Sequence, residues 1–189
     1  MESLSIYFDK AGPKNTGAVL RLVSERARER RVGAVIVPSC SGGTALEALE
    51  ILGPVPPLVV VTHVAGFSNP NVQEMPAETK KALEEKGVRV FTGQHAFGGV
   101  GRGIRNKLAT YQVDEIMAYT LRTFGQGTKV AVEIALMAAD AGLVRTDEDC
   151  ISLGGTEEGV DTALILRPAN SLRFFDLKVR EVICKPFLF

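Results

Sequence analysis

The sequence is poor in the residues that staple or bridge a chain. It has three cysteines, Cys40, Cys150 and Cys184, far apart and with no C-x-x-C pair. An odd count at that spacing argues against a disulfide framework and against a cysteine zinc site, and it favours a reducing compartment. There are two histidines, His63 and His95, with no H-x-x-H or H-E-x-x-H spacing, so no metal site is predicted. Net charge is absent too: 22 Lys and Arg balance 22 Asp and Glu. No overall field then draws the chain to nucleic acid or to an anionic membrane. The longest apolar run, Val55 to Thr62, is interrupted by Pro56 and Pro57, far short of a membrane span. Met1 leads into Glu2 and a mixed segment rather than the charged and apolar regions of a signal peptide. The expected location is cytoplasmic.

What is present is a core and many glycines. With 46% hydrophobic residues, 189 residues suit a single domain with a real interior. Leu4 to Phe8 reads as a short strand. Asn15 or Thr16 can cap a helix whose inner face is Val19, Leu22, Val23 and Ala27, with Gly33 as its C-terminal glycine. The basic cluster Arg26, Arg28, Arg30 and Arg31 reads as a solvated helix end. Strands are expected at 34–37, 58–62 and 88–92. Between them come a helix at 44–52, with Leu46, Leu49 and Leu52 inward and a stop at Gly53-Pro54, and a helix that Pro76 starts and Gly87 ends. That rhythm is βαβαβ.

The pattern then breaks. Residues 93–103 hold five glycines. Two short helices follow at 104–111 and 113–124, and a glycine turn at 125–127 leads to a strong helix at 128–141. Its inner face is Val130, Ile134, Met137 and Ala141, and Gly142 ends it. Short strands are expected at 151–153, 162–166, 172–175 and 177–184, the last at an edge or antiparallel.

The chain is organised around Val35 to Leu46. An apolar strand stops at Pro38; Ser39, Cys40, Ser41, Gly42, Gly43 and Thr44 follow, and then a helix-forming run. A strand-to-helix turn of this kind collects backbone N–H groups and hydroxyls at a helix N-terminus, which attracts phosphate. The same residues, Thr44-Ala45-Leu46-Glu47, also fit a capping box in which Thr44 only closes its own helix. No lysine follows Gly43, so this is no Walker loop, and no GxGxxG occurs here.

In an open parallel sheet, ligands bind outside the carboxyl ends of the strands. Four further glycine-bearing loops are expected near that end. One carries His63, Gly66 and Phe67; another carries His95 and Phe97; the others are Gly154 to Gly159 and Gly125 to Lys129, with Gln126 and Gly127. Each histidine reads either as a hydrogen-bonded structural residue or as an acid or base at a ligand. The 125–129 segment reads either as a plain turn capped by Thr128 or as a wrap around a polar group. Phe67, Phe97 and Phe124 read as local core or as a sandwich for a flat ring. No catalytic group stands out.

Ser41-Gly42-Gly43-Thr44-Ala45, followed by Pro57 to Thr62, resembles the S-G-x-T/S-A turn and the next strand of the C-terminal α/β domain of pyruvate kinase. The opening from Tyr7 to Thr16 and the V-T-H-x-x-G-F stretch from Val61 to Phe67 resemble a group of small stand-alone proteins of that domain type. This second resemblance covers nearly the whole chain. It implies a three-layer α/β/α domain over residues 1–189, with a mixed, mostly parallel sheet of about five main strands, the last antiparallel. Residues 94–127 would be a helical, glycine-rich insertion.

The resemblance also implies that Ser41, Gly42, Gly43 and Thr44 hold a phosphate, in the stand-alone group that of flavin mononucleotide (FMN). The flavin ring is then expected near His63, His95 and Gln126. The kinase's catalytic barrel, its metal-binding carboxylates and its A-R-G-D-L stretch are missing, so pyruvate kinase activity is not expected. The expectation is a homo-oligomeric protein that binds a phosphorylated small molecule, best FMN. The alternatives are a flavin-dependent oxidoreductase and a non-catalytic regulatory or assembly module. No nucleic-acid or membrane partner is expected.

Overall fold

A computed structural model describes residues 3–53 and 56–189. The expected helix stop at Pro54, the start of the apolar run at Val55 and the residues Met1 and Glu2 lie outside the described residues. The strands are β1 (Ile6–Lys10), β2 (Val35–Pro38), β3 (Leu58–Thr62), β4 (Arg89–Thr92), β5 (Cys150–Gly154), β6 (Thr162–Arg167) and β7 (Lys178–Leu188). The helices are α1 (Thr16–Arg30), α2 (Gly43–Leu52), α3 (Ala77–Glu85), α4 (Val100–Leu108), α5 (Val113–Arg122) and α6 (Gln126–Asp140).

All seven strands form one sheet in the order β1-β7-β6-β5-β2-β3-β4. Successive residues of the central strands face opposite layers. Val35, Val37, Leu58 and Val60 pack with Val19 and Val23 of α1, Ala45 and Ala48 of α2, and Leu83 of α3. Ile36, Val59 and Val61 pack with Ala131, Ala135 and Ala138 of α6 and Ala118 of α5. Complete burial of a Val or Ile side chain contributes roughly 1.5–3 kcal/mol, so two-sided burial holds the central strands hard. The architecture is therefore three-layered α/β/α with a mixed, mostly parallel sheet.

Among the described residues only β6 runs against the other strands: it is antiparallel to β5 and β7, while β1 is parallel to β7. The expected antiparallel last strand is thus antiparallel to its neighbour β6 but runs with the majority, and it is interior rather than at an edge. The edges are β1 and β4. This polarity matters for the site. The ends of β1, β2, β3 and β5 and the β5–β6 connection all fall at one rim of the sheet. The β2 strand lies between β3 and β5, where the chain order reverses, and such switch points open a crevice.

Several local expectations are corrected. The expected strand at 172–175 is part of a short 3-10 segment, Ser171–Asp176. The expected helix at 104–111 begins inside the glycine-rich stretch, at Val100. Gln126 and Gly127 belong to α6 rather than to a turn before it. In α2 the inward residues are Ala45, Ala48 and Leu52, whereas Leu46 is exposed; the small alanines let α2 lie close to the sheet. Arg31, not Gly33, takes the left-handed position that ends α1, with its N–H bonded to the Ala27 carbonyl. Arg26 and Arg30 are not merely solvated: both pair with Glu181 of β7 and tie α1 to the sheet.

Candidate functional site

The crevice is a cleft of about 850 Å³, within the roughly 300–1,000 Å³ usual for small-molecule sites. Its floor is the β2–α2 turn. Gly42 has φ 100 and forms the cap position, so α2 starts at Gly43. The Thr44 capping box does not form. Instead the buried Ser39 hydroxyl accepts the Ala45 N–H at 3.2 Å. The amides of Gly43 and Thr44 lie in the first turn, where a helix supplies no internal partner. With Cys40 and the Ser41 and Thr44 residues, they line the cleft.

One wall comes from a segment that the sequence reading left out of the site. Pro13, Lys14, Thr16 and Gly17, just after β1, line the cleft side by side with Gly155, Glu157, Glu158 and Gly159. Asp161 holds these two segments together. Its fully buried carboxylate accepts the Gly12 N–H at 3.1 Å, the Thr156 N–H at 3.2 Å and the Thr162 hydroxyl at 2.8 Å. The Thr16 hydroxyl adds a bond from the Val160 N–H at 3.1 Å. Asn15 holds the N-cap position of α1, but its side chain makes no cap bond; it donates instead to the Lys10 carbonyl at 2.9 Å, within its own segment.

The loops after β3 and β4 meet as expected. His63 stacks on Phe67 with ring centroids 3.9 Å apart, and His95 lies 5.4 Å from both rings. His63 Nδ1 is 2.6 Å from Glu74 Oε2. Cys40 joins them: one donor atom each from Cys40, His63 and Glu74 lies within 4.8 Å of the others. Sequence spacing hid this S, N, O set because Cys40 comes from the β2–α2 turn, whereas His63 and Glu74 stand eleven residues apart in the loop after β3. Burial pushes the Cys40 thiol up to about 11, against a lowering hydrogen bond from the His63 backbone, and Glu74 adds to the rise.

Below the cleft lies a smaller pocket of about 140 Å³, lined by His63, Phe67, His95, Arg102, Arg122 and Gln126 among others. Cys40, His63 and Gln126 are shared with the cleft above. Gln126 accepts from Arg122 Nε at 2.7 Å. Lys129 and Glu133 also line this inner pocket, both buried, with the ammonium donating to the carboxylate. Burial alone would raise the Glu133 carboxyl. The nearby His95 imidazole and the Lys129 ammonium outweigh it and hold the group at about 2. Burial is also the main influence on Lys129, lowering it against the pull of Glu133.

Not every expected residue touches the cavity. Gly66, with φ 86, makes a tight turn whose N–H bonds the Val72 carbonyl. Gly127 is a packing residue, because a Cβ there would strike Thr162 and Asp161. The Thr128 hydroxyl donates back to the Phe124 carbonyl and caps nothing. Phe97 is core, and Phe124 is solvent-exposed. Lys129, Glu133, Arg102, Arg122 and Asp161 were missed. One signal was available: Lys129 and Glu133 are four apart, the spacing at which opposite charges meet on one helix face.

No protein-family model matches the chain. Among solved structures, a pyruvate kinase from Cryptosporidium parvum is similar at 14% identity over 82% of this chain and 23% of its own, with a TM-score of 0.43. Cryptosporidium parvum pyruvate kinase in complex with ADP is similar at 15% identity, over 82% of this chain and 24% of its own, with a TM-score of 0.43. A SAH-bound methyltransferase from Podospora anserina shares 16% identity over 76% of this chain and 53% of its own, with a TM-score of 0.34. The chain spans 23% of the first of these pyruvate kinases. At such TM-scores the likeness carries no argument about activity.

Proposed function

We propose that the protein binds a phosphorylated, ring-bearing small molecule in the main cleft, with FMN as the leading candidate. The observation that carries this reading is the helix start at Gly43 and Thr44, whose unpaired amides and neighbouring hydroxyls open onto the cleft. The carboxylates of Glu47, Glu74, Glu157 and Glu158 line the same space. They would repel a bare anion but suit the hydroxyls of a polyol chain, which donate to carboxylates. A phosphate at the α2 N-terminus with a ribityl chain crossing the acidic wall meets both conditions. The flat ring would then lie toward His63 and Phe67. The absorbance spectrum of freshly purified protein, with mass spectrometry of what heat releases, tests this. Flavin bands and released FMN are expected; a colourless protein that takes up no added FMN overturns it.

The flavin-dependent oxidoreductase reading is favoured by the inner pocket, which places His95 and a buried Lys129–Glu133 pair next to the expected ring position. Reduction of the bound flavin by NADH or NADPH supports it, and inertness to both favours the non-catalytic regulatory module. A homo-oligomer is also proposed. The β1 edge is open, and exposed apolar residues gather at the C-terminus, with Phe187, Leu188 and Phe189 all more than half exposed. Sedimentation at micromolar concentration should show more than a monomer.

A further inference from the structure

The inner pocket has a charge that the main cleft does not explain. Arg102, Arg122 and Lys129 line it, and among the described residues Glu133 is its one carboxylate. Glu133 is already committed, accepting from the Lys129 ammonium and from the Phe97 N–H at 2.9 Å. The two guanidinium groups are differently placed. Arg122 donates to the neutral Gln126, and Arg102 lies 5.3 Å from the Phe67 ring centre. Among the described residues, neither arginine forms an ion pair, whereas Arg105 on the same helix as Arg102 pairs with Glu115 at 3.0 Å. A second feature is at hand. His95 Nε2 is buried with no hydrogen-bond partner, while Nδ1 lies 3.8 Å from Glu133. A buried polar nitrogen without a partner costs stability unless something fills its place.

The geometry points to the inner pocket as a subsite adjoining the main cleft for the carboxylate of a small organic acid, held by Arg102 and Arg122, with His95 Nε2 supplying the remaining hydrogen bond. Guanidinium groups bind carboxylates through paired N–H donors. The cavity is too small for a nucleotide; at about 140 Å³ it admits a few heavy atoms. A single negative charge suits it better than a phosphate dianion, because the Glu133 carboxylate shares the space. The apolar side chains of Val61, Ile134 and Met137 on the same lining match a short carbon chain. His95 is then the group beside the bound acid able to give or take a proton. This inference does not rest on the flavin reading, and a colourless protein leaves it standing.

The test is a proton NMR titration of the intact protein with propionate. The chain has two histidines, so the His63→Gln spectrum assigns the His95 imidazole. Propionate should move the His95 signal saturably, and its neutral isostere propionamide should not. Arg102→Gln and Arg122→Gln should each weaken propionate about tenfold, as expected for the loss of a charge-assisted bond. The Lys substitutions should fall between wild type and Gln. If the variants fail to fold, the wild-type contrast between propionate and propionamide still decides. A His95 signal that stays fixed, that responds equally to propionamide, or that responds to inorganic phosphate and not propionate overturns the assignment.

Discussion

Lys129 donates its ammonium to the Glu133 carboxylate one turn further along α6, and the two residues are only 4% and 3% exposed. Such a pair contributes little net stability while intact, because desolvation offsets attraction. Breaking it is different: the surviving charge stays buried without its partner. Glu133→Gln and Lys129→Met should each lose about 3–5 kcal/mol in urea unfolding. The double variant should lose less than the sum of the two, because no charge is then stranded. Additive losses would mean that the pair is not coupled.

The same carboxylate sets an acid limit. Glu133 is held at about 2, against 4.5 for the free group. A depressed acid contributes stability above its unfolded value and loses it as pH falls through the folded one. Stability should therefore decline between about pH 4.5 and pH 2, by on the order of 3 kcal/mol from this group. Urea midpoints measured down that range should fall more steeply for wild type than for Glu133→Gln. Parallel curves would remove Glu133 as the cause.

Gly154 at the end of β5 meets Gly127 of α6 backbone to backbone. A Cβ on Gly154 would collide with the Gly127 carbonyl and lie 2.9 Å from its Cα. Backbone cannot swing aside as a side chain can, so Gly154→Ala should cost about 2–3 kcal/mol, as overpacking does. Gly103 in α4 is the contrast. Nothing lies within 4 Å of a Cβ there, and Gly103→Ala should gain about 0.5–1 kcal/mol from helix propensity. Thermal unfolding of the two variants reads both signs.

The layered α/β/α arrangement was legible because it is written locally. Val59 and Val60 are fully buried on opposite faces, and an apolar strand without alternation says so. Sheet order was not legible, because pairing of β1 with β7 joins residues at opposite ends of the chain. That pairing is also what carries Pro13 to Gly17 to the cleft. Ser39 to Thr44 was legible as a helix start, but the bond from the Ala45 N–H to Ser39 rather than a Thr44 box depends on where the helix begins. The glycines at 42, 66 and 127 looked alike in sequence, although only their surroundings separate turn from packing. Arg102 and Arg122 carry no signal of their own in the sequence, because only the packing of α4 and α5 brings them to the inner pocket.

Ser39 and its neighbours should separate stability from binding. The Ser39 hydroxyl is buried and closes the start of α2, so Ser39→Ala should cost about 1 kcal/mol. Ser41 is exposed and Thr44 half-buried, and neither hydroxyl is used within the fold. Ser41→Ala and Thr44→Val should leave the melting temperature within a degree or so of wild type, consistent with surface changes. Both should weaken FMN several-fold in a fluorescence titration. A stability loss at Thr44 equal to that at Ser39 would make the turn a cap alone.

Cys40 sits at a helix N-terminus, where thiolates are usually favoured, yet its surroundings act the other way. Burial comes first and lifts the thiol, the backbone of His63 pulls it down by a hydrogen bond, and Glu74 pushes it up again, to about 11. The thiolate is the reactive form, so iodoacetamide should modify Cys40 more than about tenfold slower than a free cysteine at pH 8. Cys150 and Cys184 are buried and held at about 12, so mass spectrometry should find Cys40 labelled before either. Removing the Glu74 charge by Glu74→Gln should speed that labelling several-fold. A Cys40 that reacts as fast as the free amino acid would show instead that the helix N-terminus dominates, and would make this residue a candidate nucleophile at the cleft floor.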